Sequence, residues 1–158
     1  MKRGFVVAVA GSAIVVAGMV GCSSSNKACT GSSCASVGKG TAKITIDGKD
    51  QSVSGTVGCQ TSPQGTQISI GNPGDPNTAM GAQITGNDVQ QVALVLNGQK
   101  LAYQKGNPMM GGTAQLTKDG NKYTITGKAA QVGGAPDISN PANPTFPTHD
   151  FTMEVTCP

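Results

Sequence analysis

The chain has 158 residues, room for one ordinary domain once a leader is set aside. Only 12% of its residues are charged and 3% aromatic, with 23 glycines and no tryptophan, which suggests many turns around a modest aliphatic core. Without Lys2 and Arg3, nine basic residues face eight acidic ones and no arginine remains, so the basic face that neutralises phosphates is missing and nucleic acid is excluded as a partner.

Met1-Lys2-Arg3 opens the chain with positive charge, and Phe5 to Val20 is apolar or small throughout, broken only by Gly11, Ser12 and Gly18. A run this short behind basic residues reads as a secretion signal rather than a stop-transfer helix. It ends Met19-Val20-Gly21-Cys22, followed by the polar run SSSNK. Bacterial lipoprotein processing requires a thiol at this point. The sulfur takes a diacylglycerol through a thioether, and cleavage frees the α-amine for a further acyl chain such as palmitate. Residues 1–21 are therefore predicted to be a signal peptide and Cys22 the lipidated first residue of the mature chain. A single acyl chain anchors marginally, at about 0.8 kcal/mol per buried methylene, whereas two or three on one cysteine hold firmly. The expected location is the extracytoplasmic face of the cell membrane.

Residues 22–41 carry Ser, Thr, Gly and Lys and almost nothing large, so the segment is predicted to be a flexible tether. Its hydroxyls, Thr30, Ser32 and Ser33 among them, either carry O-linked sugars or simply keep the tether soluble. Cys29 and Cys34 are predicted to pair locally or with other thiols in an oxidising envelope. Two cysteines alone cannot complete a metal tetrahedron.

From Ala42 the apolar period changes to two, and residues 42–158 are predicted to form one β domain. Ile44 and Ile46 run into Asp47-Gly48; Val53, Gly55, Val57 and Cys59 alternate with polar residues; Ile68 and Ile70 follow the break at Pro63. After the loop 71–76, the stretch Pro76 to Asp88 suits either a short helix or an edge strand. Val92, Leu94 and Leu96 lead to Asn97-Gly98, a strong hairpin signal, and Leu101 and Tyr103 return. Ala114 and Leu116 reach Asp119-Gly120, and Tyr123 and Ile125 return. A proline-rich loop precedes a last strand with Phe151, Met153, Val155 and Cys157 in phase. The pattern predicts an all-β, mainly antiparallel domain of seven or eight strands, a sandwich or partly closed barrel.

Cys59 is in phase with Val53 and Val57, and Cys157 with Phe151, Met153 and Val155, so both thiols are predicted to face the core. They are read as a disulfide, with two buried free thiols as the alternative. The count agrees: lipid consumes one of five cysteines and leaves four for two bridges.

Catalysis lacks its usual constellation. His149 is the one histidine, and Asp150, its neighbour, points to the opposite side of a strand, so His149 is predicted to be a solvated loop residue. No G-x-S-x-G turn, metal-ligand cluster or phosphate-cradling loop occurs. Asp47 and Asp50 bracket a turn and are weak as a calcium loop. Glu154 should face water. No enzyme activity, cofactor or metal is expected.

Cys22 with SSSNK, Ile46 to Cys59 (IDGKDQSVSGTVGC), Thr117 to Gly127 (TKDGNKYTITG) and Phe151 to Cys157 (FTMEVTC) together resemble the mycobacterial lipoprotein antigen family called LpqH, the nineteen-kilodalton antigen. The resemblance spans essentially the whole chain. It implies a surface-exposed, acylated and often O-glycosylated envelope lipoprotein. It also implies that a host lipopeptide-sensing Toll-like receptor detects the acylated cysteine, and it makes ligand transport a suggested role. Cys22 matches the acylated residue and Cys59 and Cys157 the two domain cysteines, whereas Cys29 and Cys34 depart from the pattern. As an alternative function, Ala82, Ala93, Ala102 and Ala114, taken as small core residues, leave a cavity for an apolar ligand; the plainer reading is that they let the sheets pack closely.

Overall fold

The structure, a computed structural model, describes residues 27–30, 33–72, 76–139 and 144–158. The signal segment and Cys22 lie outside them. Twelve strands form among the described residues: β1 (Lys27–Thr30), β2 (Ser33–Gly38), β3 (Thr41–Ile46), β4 (Lys49–Gln51), β5 (Thr56–Ser62), β6 (Gly65–Gly71), β7 (Met80–Thr85), β8 (Asp88–Leu96), β9 (Gln99–Gln104), β10 (Thr113–Asp119), β11 (Lys122–Gln131) and β12 (Thr148–Thr156). Among the described residues, the only helical element is a single 3-10 turn at Pro76–Thr78.

Every pairing is antiparallel, in the order β1-β2-β5-β6-β7-β8-β9-β11-β12-β3-β4 with β10 also on β11. Most of β11 pairs with β10 and β12, but its last residues pair with β9, Ala130 opposite Ala102 and Gln131 opposite Leu101. The sheet turns its corner here. Ala129 and Ala130 are consecutive yet both fully buried, because the strand exchanges one layer for the other at this point. One layer is β1-β2-β5-β6-β7-β8-β9 and the other β10-β11-β12-β3-β4; the sheet does not close into a barrel. Their inner faces meet in one core: Val57, Ile68, Val92, Leu94 and Leu101 from the first layer, Ile44, Ile125, Met153 and Val155 from the second. Each such side chain contributes about 1.5–3 kcal/mol on burial.

Turn chemistry sets the register. Asp47 and Gly48 have φ of 49° and 75°, and Asn97 and Gly98 have 51° and 80°. Positive φ at both central residues is the type I′ geometry, whose twist matches that of paired strands. The third hairpin differs by one residue from the sequence reading. Asp119 pairs with Lys122, so its loop is Gly120-Asn121.

The all-β antiparallel expectation holds, with corrections in detail. Twelve strands replace the expected seven or eight. Two of the extra strands come from the predicted tether, whose residues 33–38 form a strand hydrogen-bonded along β5. Backbone pairing and a disulfide order this segment without much apolar burial. The stretch Pro76 to Asp88 holds a central strand, β7, between β6 and β8 rather than an edge strand. The strand expected from Val53 starts at Thr56. Ala82 is buried in the core and Ala114 packs against it, but Ala93 and Ala102 alternate out of phase with Leu94 and Leu101 and face outward.

Gly127 of β11 stands between Ala114 of β10 and Phe151 of β12. A Cβ there would collide with the Thr113 carbonyl oxygen and stand 2.9 Å from Ala114 Cα. Gly127→Ala is expected to destabilise the domain by about 1–3 kcal/mol, through a strained core, read as a lower urea midpoint with unchanged slope.

Candidate functional site

Two ends of the body gather the reactive side chains, and β12 connects them, since it begins beside His149 and runs into Cys157.

At one end, Cys59 and Cys157 form a disulfide with Cα atoms 5.9 Å apart, and Cys29 and Cys34 form a second with Cα atoms 4.0 Å apart. Cys59 reaches the core from β5, as its phase with Val57 requires. Cys157 follows β12, where its backbone N–H donates to the Asn121 carbonyl at 2.9 Å. Cys29 and Cys34 face each other across the β1–β2 hairpin. The two bridges and Tyr123 border a common groove of about 210 Å³, with the terminal Pro158 at its rim. Ser36, buried nearby, donates to the Cys59 carbonyl at 3.4 Å. Of the residues expected to carry sugars, Thr30 is paired opposite Ser33 at the hairpin tip, and Ser32 lies outside the described residues.

At the other end stands an arrangement missed in the sequence. His149 is not a solvated loop residue. It sits in β12 and is half-buried. Its Nδ1 is 2.6 Å from Asp47 Oδ2 and its Nε2 3.2 Å from Gln131 Oε1. Asp47 is the first residue of the β3–β4 turn, and its backbone N–H donates to the Asp150 carbonyl at 2.9 Å. Its Oδ1 accepts the Asp150 N–H at 3.0 Å. The hairpin tip is thus latched to β12 through a side chain 102 residues away, a distance at which no local spacing signal exists. The His149 hydrogen bond chiefly, aided by the Asp150 amide and the charges of His149 and Lys128, holds the Asp47 carboxyl below its ordinary value. Both ring nitrogens of His149 are engaged by Asp47 and Gln131, so the ring does not hold a serine or cysteine nucleophile. Among the described residues, no group of three or more His, Cys, Asp or Glu is placed to hold a metal ion. Asp50, expected in a turn, instead lies within β4 and meets Lys43 at 3.2 Å and Thr45 at 3.1 Å.

An antiparallel β body closed by two bridged cysteine pairs, in a chain that opens with a basic and apolar stretch running to Gly21-Cys22, is the pattern of a bacterial lipoprotein. The chain belongs to the Mycobacterium 19 kDa lipoprotein antigen family, whose model matches residues 35–157. It is 42% identical to Lipoprotein LpqH of Mycobacterium tuberculosis and 36% identical to Lipoprotein LpqH of Mycobacterium avium, each comparison covering 99% of both chains. A putative lipoprotein of Mycobacteroides abscessus is 31% identical over 88% of both chains. Family membership carries with it an envelope location and association with a membrane.

Two predictions follow from the opposite ends. A bridge between residues 98 apart restricts the unfolded chain by about 4–5 kcal/mol in the chain-entropy treatment, against about 2 kcal/mol for one between residues 5 apart. Cys59→Ala with Cys157→Ala should therefore cost about twice the stability lost by Cys29→Ala with Cys34→Ala in urea unfolding. The second concerns acid. A carboxyl held low in the folded state gives stability that is fully present above its unfolded value and is lost as pH falls through the folded one. Asp47→Asn should flatten the decline in melting temperature below the ordinary carboxylate range while leaving the decline due to Asp50 and Asp137, which are also held low.

Proposed function

We propose that this chain is a non-enzymatic, acylated cell-envelope lipoprotein antigen, fixed to the membrane through lipid on Cys22 and detected there by a host lipopeptide-sensing Toll-like receptor. The observation that carries the reading is Gly21-Cys22 followed by SSSNK, in a chain that belongs to a lipoprotein antigen family over residues 35–157. The path of the chain supports it. The first described strand, β1, is an edge strand, so the described chain begins at the border of the body.

The carrier alternative draws less support. Ile68, Leu94, Ile125 and Met153 occupy the space between the layers, and two of the four alanines once counted toward a cavity face outward. Concavities of about 330, 310 and 300 Å³ are open grooves that cross the strands on the outward faces.

Intact-mass analysis of the native protein should show a polypeptide beginning at Cys22 and bearing at least two acyl chains. Sugars on Thr30, Ser32 or Ser33 would add to the same spectrum. Cys22→Ala should lose the acyl mass, detergent-phase partitioning and receptor stimulation together while keeping its β-sheet circular dichroism. Undiminished stimulation by that variant would refute the reading.

A further inference from the structure

The outward faces of the two layers differ sharply in chemistry. On the β10-β11-β12-β3-β4 layer, threonines alternate with three cross-strand ion pairs: Lys43–Asp50, Lys122–Glu154 and Lys128–Asp150. The other layer presents a row of glutamines. Gln60 pairs with Gln67, Gln67 with Gln83, Gln83 with Gln91, and Gln91 with Gln104, so one exposed amide stands on each of the five strands β5 to β9 in direct register. Two residues along each strand runs a parallel row of small residues, Gly58, Ser69, Gly81, Ala93 and Ala102, again in direct register. No charged residue belongs to either row.

Relief follows from the side chains. Long amides stand beside bare or nearly bare backbone, which makes a shallow trough running across the strands. Grooves of about 300 and 310 Å³ mark its course, the first bordered by Gln67, Ser69, Gly81, Gln83, Gln91 and Ala93. The floor cannot readily be filled, since a Cβ at Gly58 would meet Ser69 Oγ at 2.7 Å and one at Gly81 the Ile68 carbonyl at 2.8 Å. Among the described residues, the side chains of Gln60, Gln67, Gln83 and Gln91 make no hydrogen bond, while Gln104 accepts one from Asn107 at 3.2 Å.

We propose that this trough binds a neutral, extended glycan chain lying across the strands. Each carboxamide offers two N–H donors and a carbonyl with two lone pairs, a set that matches neighbouring hydroxyls and needs no charge. The row covers four inter-strand steps of about 4.7–4.9 Å, roughly 19 Å in all. An extended glycan advances by nearly one such step per ring, so successive rings meet equivalent amides and sit over the small-residue row. Other occupants fit less well. A polyanion would seek cations that the rows do not contain. A peptide strand adds at a sheet edge, where backbone groups are free, not on a face whose backbone is fully paired. An acyl chain would leave the amides desolvated and unpaired.

The test uses the full mature chain titrated with cellohexaose, mannohexaose, xylohexaose and chitohexaose, followed by calorimetry and by the side-chain amide resonances of the glutamines. At least one hexamer should bind and shift the amides of Gln67, Gln83 and Gln91, about tenfold more tightly than its disaccharide. Gln83→Ala with Gln91→Ala should weaken binding about tenfold, as for two hydrogen bonds of ordinary net strength. Thr126→Ala, on the opposite outward face, should leave it unchanged. A dispersed amide spectrum of each variant establishes that it is folded. The proposal is overturned if none of the hexamers binds at millimolar concentration, if the glutamine variant binds as well as the parent, or if the shifts map to the Thr126 face. It is equally overturned if the glutamine amides shift with protein concentration alone, which would assign the trough to a second copy of the chain.

Discussion

Among the described residues, strand hydrogen bonds join the two layers where the end of β11 crosses to β9. Away from that corner, among the described residues, no strand pairing joins them, and there Cys59 of the first layer is bonded to Cys157 of the second. The bridge does for an open sandwich what the last strand pairing does for a barrel. A core with few aromatic rings cannot easily resist its layers sliding apart, and a covalent clamp opposite the corner keeps their inner faces in register. The placement also explains why both thiols share the phase of core residues. A clamp between layers has to pass through the interior.

Much of this was legible in alternation. Val92, Leu94 and Leu96, or Phe151, Met153 and Val155, announce both strand and inward face, and Asp47-Gly48 and Asn97-Gly98 announce their turns. The errors have separate physical origins. Ala93 and Ala102 were taken as core for being small and apolar, although the phase of Leu94 and Leu101 already turns them outward. Residues 33–38 were taken as tether because their composition buries little, yet β5 offered them a ladder and Cys29–Cys34 shortened their freedom. His149 with Asp47 was beyond reach, because it depends on how a hairpin tip lies against a strand more than a hundred residues later. The glutamine row was spread through the sequence at Gln60, Gln67, Gln83, Gln91 and Gln104. It becomes a row only when four hairpin registers are known together.

The body thus separates its tasks by face and by end. One outward face spends its charges on ion pairs with itself, each weak at the surface. The other carries a central band of amides and small residues, with its charges, Lys100 and the Lys105–Asp88 pair, at the margin. The disulfide end is covalently fixed, whereas the His149 end is held by a histidine–carboxylate contact and backbone hydrogen bonds, so its cohesion responds to acid while that of the disulfide end does not.

The groove between the two bridges brings the beginning and the end of the folded body to one pole: Cys29 and Pro158 border the same depression. A passenger fused behind Pro158 would therefore emerge beside Cys29, at the same pole as the start of the described body. The nearness of the ends also suits the domain to circular permutation, since a short connector could join them without disturbing a strand.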